Sequence, residues 1–391
     1  MPLAAEARLE RFPEHVALVY RDAPRYWLRV RIAPAFFFAT LLLLVACSPS
    51  PSPDVATADA SAPVEAARDI SASVTFDANG VSSPVTFVVP PSTRSITVVV
   101  EGDSSRLHAL AAFAMADGVE QVGLDLTASF ASEMQRLYFT EQSGTMPGGL
   151  HQSIRLGTFT HVYPFAPDQK VASGPATLRV VRDGPGGTAR VRVLSAVDDG
   201  ARVLHLNLVR VSASANITAE ATFLPEVRRI FAQAGIEIVI DQALPLRGTA
   251  FEQIVSFTEP QESPGSDSAA LARIVGAKTT SAALDVMIVD RLPAGVAGLS
   301  LGVPGPPLGD SYYFGVIIGA ASDAVLGRVI AHETAHFLGL QHVENRGVSG
   351  KVYEDPIPDT SKARPNLMED GTELTAGQAF VLSRSPLLST R

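Results

Sequence analysis

The chain has 391 residues, 46% of them hydrophobic and 18% charged, with a formal net charge of −9. That length accommodates two domains and a sizeable core, and an acidic balance with no basic cluster suited to a phosphate backbone argues against nucleic acid as partner. The single cysteine, Cys47, excludes an internal disulfide framework and a thiolate metal site, so any staple must be packing or a metal held by other side chains.

Residues 1–46 read as a leader. The basic stretch Arg25–Arg31 precedes Ala33–Ala46, fourteen residues without a charge. Such a run is too short to span a bilayer as a helix but suits the apolar region of a signal peptide. It ends in "LVAC", Leu44 to Cys47. These four residues resemble the bacterial lipobox. The resemblance implies cleavage before Cys47, lipidation of Cys47 and a place on the bacterial cell envelope. Ser48 in the following position favours the outer membrane. The other reading is a plain secretory signal, or an N-terminal anchor, with Cys47 incidental. The stretch before the basic patch is long for a signal peptide, so the translational start is expected near Val30. Residues 47–69, rich in Ser, Pro and Ala, read as an extended tether.

Residues 70–199 carry short runs of β-branched residues: "SVTF", "VTFVV", "SITVVVE", "TLRVV" and "ARVRVL". Turn signals such as "DANG" and "RDGPGG" separate them, which predicts a small β-sandwich-like domain. "LHALAAFAMA" within it reads as a short helix. His108, His151 and His161 have no metal-like spacing and read as structural or surface residues.

Residues 200–391 have a different rhythm. In "ARVLHLNLVRV" Leu204, Leu206 and Leu208 alternate with polar residues, as in a half-buried strand. "LPEVRRIFAQAG" reads as a helix with Pro225 in its first turn, an apolar stripe of Val227, Ile230, Phe231 and Ala234, and Gly235 as its cap. "IEIVI", "LDVMIV" and "YYFGVII" (Tyr312 to Ile318) read as strands, and "FTEPQESPGSDSAA" as an exposed loop. The succession predicts an α/β layer on a mixed twisted sheet.

The stretch "VIAHETAHFLGLQH", Val329 to His342, places three of the eight histidines within eleven positions. From about Asp323 it can be helical, with Val325, Val329, His332 and His336 on one face. Two imidazoles one turn apart can bind one ion. Glu333, about 100° round the helix from His332, lies beside that ion, where a general base takes a proton from water. Gly339 can adopt a left-handed conformation, end the helix and let His342 return to the same ion. Three nitrogen ligands and an open fourth position describe a catalytic zinc site rather than a closed structural one.

"HETAHFLGLQH" resembles the metzincin pattern H-E-x-x-H-x-x-G-x-x-H at all five defining positions. "NLMED", Asn366 to Asp370, follows, and the resemblance extends over roughly 201–388, most closely to the pappalysin-like group. It implies a metzincin-like zinc metalloendopeptidase domain acting on protein or peptide substrates. His332, His336 and His342 would hold one zinc ion, Glu333 would be general base and then acid, and Met368 would pack beneath the site. Asp370 stands two residues after Met368, where astacins and serralysins carry a tyrosine. "GLSLGV", Gly298 to Val303, would be the sheet edge that receives an extended substrate. Asp355, Asp359, Glu369 and Asp370 could hold calcium, or simply form an acidic surface. The alternative function is a catalytically silent surface binding lipoprotein that retains the zinc site.

Overall fold

The computed structural model describes residues 69–118, 120–123, 152–200, 202–211, 220–247, 251, 266–279, 282–293, 295–320, 323–346, 352–360 and 365–390. The leader, Cys47, nearly all of the tether and His151 lie outside them. Among the described residues no helix is long and apolar enough to cross a membrane.

Among the described residues nine strands come first: β1 (Asp69–Thr75), β2 (Val85–Val89), β3 (Thr93–Glu101), β4 (His108–Ala114), β5 (Glu120–Gly123), β6 (Gln152–Arg155), β7 (Thr158–Tyr163), β8 (Gly174–Arg182) and β9 (Thr188–Val197). They form two antiparallel sheets, β1-β9-β3-β7-β6 and β2-β8-β4-β5, that share one apolar core. In β9 the alternation is visible residue by residue: Val191 and Val193 are buried while Thr188 and Arg190 face water. "LHALAAFAMA" is strand β4, not a helix. Paired on one side with β8 and on the other with β5, it is buried on both faces, so its sequence lacks the alternation that marks a strand. Its alanine-rich helix propensity yields to that pairing. His108 and His161 are fully buried in this part of the molecule.

The second part follows in the order β10 (Val203–Val211), α1 (Glu220–Ala232), β11 (Glu237–Leu246), α2 (Asp267–Gly276), β12 (Leu284–Val289), β13 (Gly298–Ser300), β14 (Val316–Gly319), α3 (Asp323–Phe337), β15 (Glu344–Arg346), β16 (Val352–Glu354), α4 (Ala376–Leu382) and β17 (Leu388–Ser389). Its main sheet is mixed. β11, β10, β12 and β14 are parallel, β13 joins β14 antiparallel at one end, and β17 pairs with the start of β10. Parallel strands covered on both faces need continuous apolar runs, and "LDVMIV" is buried at every position. Leu204, Leu206, Val286 and Ile318 face α1 and α3, while Val209, Met287 and Ile317 face α2. Each such Leu or Ile contributes about 1.5–3 kcal/mol of burial.

Three local expectations are corrected. α1 begins at Glu220, so Pro225 lies inside the helix rather than in its first turn. Strand β14 starts only at Val316, because Gly315 takes a φ of 120° and breaks the extended run of "YYFGVII". The segment read as one exposed loop contains the start of α2, whose N-cap Ser266 accepts from the Ala269 N–H.

Beneath α2, Asn207 and Asp285 stand side by side on β10 and β12. Asn207 Nδ2 donates to the Asp285 carboxylate at 2.9 Å, and Thr279 Oγ1 donates to its other oxygen at 3.1 Å. Asp285 is 1% exposed. Burial raises its pKa to about 6, against the opposing pull of these two bonds. The folded chain therefore holds this proton more tightly than the unfolded chain. The stabilisation is complete below the unfolded value of about 4 and is lost as pH rises through about 6, on the order of 2–3 kcal/mol. Asp285→Asn keeps an acceptor for Asn207 and cannot ionise. Its urea midpoint is expected to fall less than that of the wild type between pH 4.5 and 8; parallel pH profiles would contradict this.

The two parts meet at β3 and the end of α4. Arg94, 5% exposed, donates to the carbonyls of Ser385 and Leu388, and Arg384 donates to the Arg94 carbonyl at 3.1 Å. Ser95 Oγ donates to the Arg384 carbonyl, and Tyr313 Oη reaches the Leu156 carbonyl at 3.3 Å. Arg94→Ala leaves two carbonyls without this donor, at about 2–3 kcal/mol in unfolding free energy. An unchanged denaturation midpoint would show that the contact contributes nothing.

Candidate metal centre

α3 carries the site because its apolar positions, Leu326, Val329 and Ile330, bury one flank in the main core. That burial leaves His332 and His336 on the adjoining flank, one turn apart. The helix stops where its last turn closes on itself: Leu340 N–H bonds to the Ala335 carbonyl at 3.0 Å and Gly339 N–H to the His336 carbonyl at 2.9 Å. Both bonds need a left-handed residue between them, and Gly339 has a φ of 114°. The reversed chain brings His342 back, with its Nε2 3.2 Å from Nε2 of both His332 and His336.

The other ring nitrogens determine the tautomers. His332 Nδ1 lies 2.6 Å from the Leu367 carbonyl and His336 Nδ1 lies 2.7 Å from the Leu340 carbonyl. A carbonyl accepts only, so both Nδ1 atoms carry the proton and both Nε2 atoms present lone pairs. Burial lowers the pKa of His332 to about 4 and of His342 to about 3, and drives His336 well below the ordinary value. The three imidazoles are therefore neutral at pH 7. One Nε2–H on His342 could satisfy at most one of its two neighbours. Three nitrogens around a single tetrahedral zinc ion, at about 2.0–2.1 Å from it, stand about 3.3 Å apart, close to the spacing found here. The donor set fits a divalent cation such as zinc, and it is the sole group of three metal-ligating side chains among the described residues.

Glu333 follows His332 on α3 and is 8% exposed. Burial raises its pKa to about 8, opposed by a hydrogen bond from the Ser300 backbone N–H. A cation beside it would favour the charged form and pull that value down.

No protein-family profile matches the chain, and no curated protein sequence matches it. Among solved structures it is similar to metalloproteinase-II from Bacteroides fragilis, at 16% identity over 44% of this chain and 54% of that one, with a TM-score of 0.28. It is also similar to archaemetzincin from Methanopyrus kandleri (14% identity, 46% of this chain, 88% of that one, TM-score 0.24). A zinc-dependent peptidase from Methanocorpusculum labreanum (strain Z) aligns at 14% identity over 45% of this chain and 98% of that one, with a TM-score of 0.25. The chain thus spans about half the length of the first of these, at 54%. The chemistry of the site follows from its own side chains.

Met368 is fully buried in the main core. It sits in a turn held by Asn366, whose side chain accepts from the Met368 N–H at 2.9 Å and pairs reciprocally with the Gln378 amide. This turn aims the neighbouring Leu367 carbonyl at His332. The acidic residues each have local hydrogen-bond partners. Asp355 accepts from Ile357 N–H and Thr360 Oγ1, Asp359 accepts from Thr375 Oγ1 and Gly377 N–H at the start of α4, and Glu369 accepts from Glu344 N–H. Asp370 offers its carbonyl to Arg328. Tyr312 is exposed beneath Arg273, and Tyr313 packs into the core under α2.

The carbonyls of Leu367 and Leu340 and the N–H of Ser300 have no side-chain signature, so no sequence pattern points to them. Gly298 and Ser300 were legible only as part of a candidate sheet edge, not as neighbours of Glu333.

Proposed function

We propose that the chain is a zinc-dependent metalloendopeptidase of metzincin type, most like the pappalysin-like group. The observation that carries this reading is the convergence of three neutral imidazole nitrogens with a buried carboxylate on the same helix. His332, His336 and His342 would hold the ion. Zinc held there would supply Lewis acidity toward a peptide carbonyl and toward water. Glu333 takes the proton from the attacking water and returns it to the leaving amine. Leu367 and Leu340 hold the rings of His332 and His336 in the tautomer that presents Nε2, Gly339 turns the chain toward His342, and the Met368 turn supports the floor of the site. An extended substrate would lie along the free side of β13.

Three further elements belong to the same reading. Residues 70–199 form a β-sandwich domain and 200–391 the peptidase domain. Cys47 is the lipidated residue, cleaved free of the leader 1–46 and joined through the tether 47–69. The protein then stands on the bacterial envelope, in the outer membrane; fractionation that finds the mature chain free of membranes would contradict this. The leader supports this reading through its sequence alone.

The deciding experiment incubates the purified full chain, with its zinc quantified, with a diverse peptide library, with and without a chelator. Peptide cleavage that needs the metal is expected. A zinc-loaded chain that cuts no peptide would overturn the endopeptidase and leave the silent binding lipoprotein.

A further inference from the structure

Strand β13 meets Glu333 at Gly298. The Leu301 N–H bonds to the Gly315 carbonyl and the Ala297 carbonyl accepts from Gly319 N–H, so the odd-numbered backbone groups of this segment face β14. Alternation turns the N–H groups of Gly298 and Ser300 outward, along the free side of the strand. Gly298 is the neighbour that meets Glu333. A Cβ on it would lie 2.4 Å from Glu333 Cγ and 2.7 Å from its Oε1, inside the distance that real side chains tolerate. The backbone does not need a glycine here, because residue 298 is not among the positive-φ positions. What it needs is the missing side chain. Glu333 is 8% exposed on the crowded flank of α3, so its carboxylate could yield only by leaving the place it now holds.

We infer that Gly298 is a positioning residue for Glu333: its bare Cα makes the room in which the carboxylate sits against the edge strand. The consequence rests on the peptidase reading in one respect only, that the displaced group is the proton carrier. Moving that carboxylate by an ångström misaligns proton transfer without removing a metal ligand. The effect therefore falls on kcat, not on KM or metal content.

A double-mutant cycle on the full chain tests this. Gly298→Ala is expected to lower the melting temperature of the wild type by roughly 3 °C or more. In the Glu333→Ala background, where the obstructing side chain is gone, the same substitution is expected to have no effect. If Gly298→Ala alone does not fold, recovery of a folded chain in the double variant gives the same answer. An equal loss in both backgrounds overturns the inference, since it assigns Gly298 to the backbone alone. On a cleaved peptide, Gly298→Ala is expected to reduce kcat by about tenfold or more, with KM within about twofold and zinc retained. Wild-type kcat in Gly298→Ala overturns the positioning role. Should the wild type cleave no peptide, the stability cycle still decides whether Gly298 and Glu333 are coupled, separately from the function.

Discussion

Glu333→Gln is expected to lower peptide cleavage by about a thousandfold while leaving one zinc per chain. General acid–base catalysis by a placed side chain contributes about 10²- to 10⁴-fold, and an amide cannot accept and return the proton. Glutamine is the informative substitute because it matches the glutamate in shape. Its oxygen can still accept the Ser300 N–H, and the close approach to Gly298 is unchanged. His332 and His336 keep their carbonyl partners at Leu367 and Leu340, to which residue 333 contributes no atom. Loss of cleavage with zinc retained separates chemistry from metal binding. Cleavage at the wild-type rate would remove Glu333 from the mechanism; loss of zinc together with activity would make it a structural residue.

Removing the metal should have the second large effect, on stability. A ligand that binds only the folded chain stabilises it by about 4 kcal/mol at a thousand times its dissociation constant. Chelation of the zinc-loaded full chain is therefore expected to lower its melting temperature, and returning zinc should restore it. His336→Ala should bind no zinc at micromolar concentrations and should ignore the chelator. His336 is the more telling ligand to remove, since it is buried, 7% exposed, and its Nε2 meets that of His342 at 3.2 Å. Without a cation the Nε2 lone pairs of His332 and His336 both point at Nε2 of His342, which can donate to at most one of them, and a cation relieves that arrangement. A melting temperature indifferent to both zinc and chelator would argue against a resident ion.

The two outcomes together also separate the endopeptidase from the silent binding lipoprotein. A silent protein would show the zinc-dependent stability but no cleavage for Glu333→Gln to abolish. The β-rich part bears on this too. Among the described residues it makes polar contacts through Arg94, Ser95 and Leu156 to the end of α4 and to Tyr313.

What could be read from sequence was what depends on short spacing. His332 and His336 lie one helical turn apart wherever that helix is placed, and Gly339 can reverse the chain within a few residues of both. The alternation in β10 and the apolar run of β12 were legible for the same reason: neighbours along the chain reveal the face they share. Pairing between distant segments was not legible. "LHALAAFAMA" is a strand because β5 and β8 flank it, and "YYFGVII" loses its first half to the φ of Gly315. The start of α2 hid in a polar stretch whose Ser266 serves as a cap only once the helix exists. The sequence by itself determined which side chains meet at the candidate site, because a helix's own geometry sets their spacing. Only the tertiary structure decided how they are held. The Leu367 carbonyl behind His332 and the Ser300 N–H on Glu333 each lie more than thirty residues away along the chain, and only packing brings such distant backbone atoms within hydrogen-bonding reach.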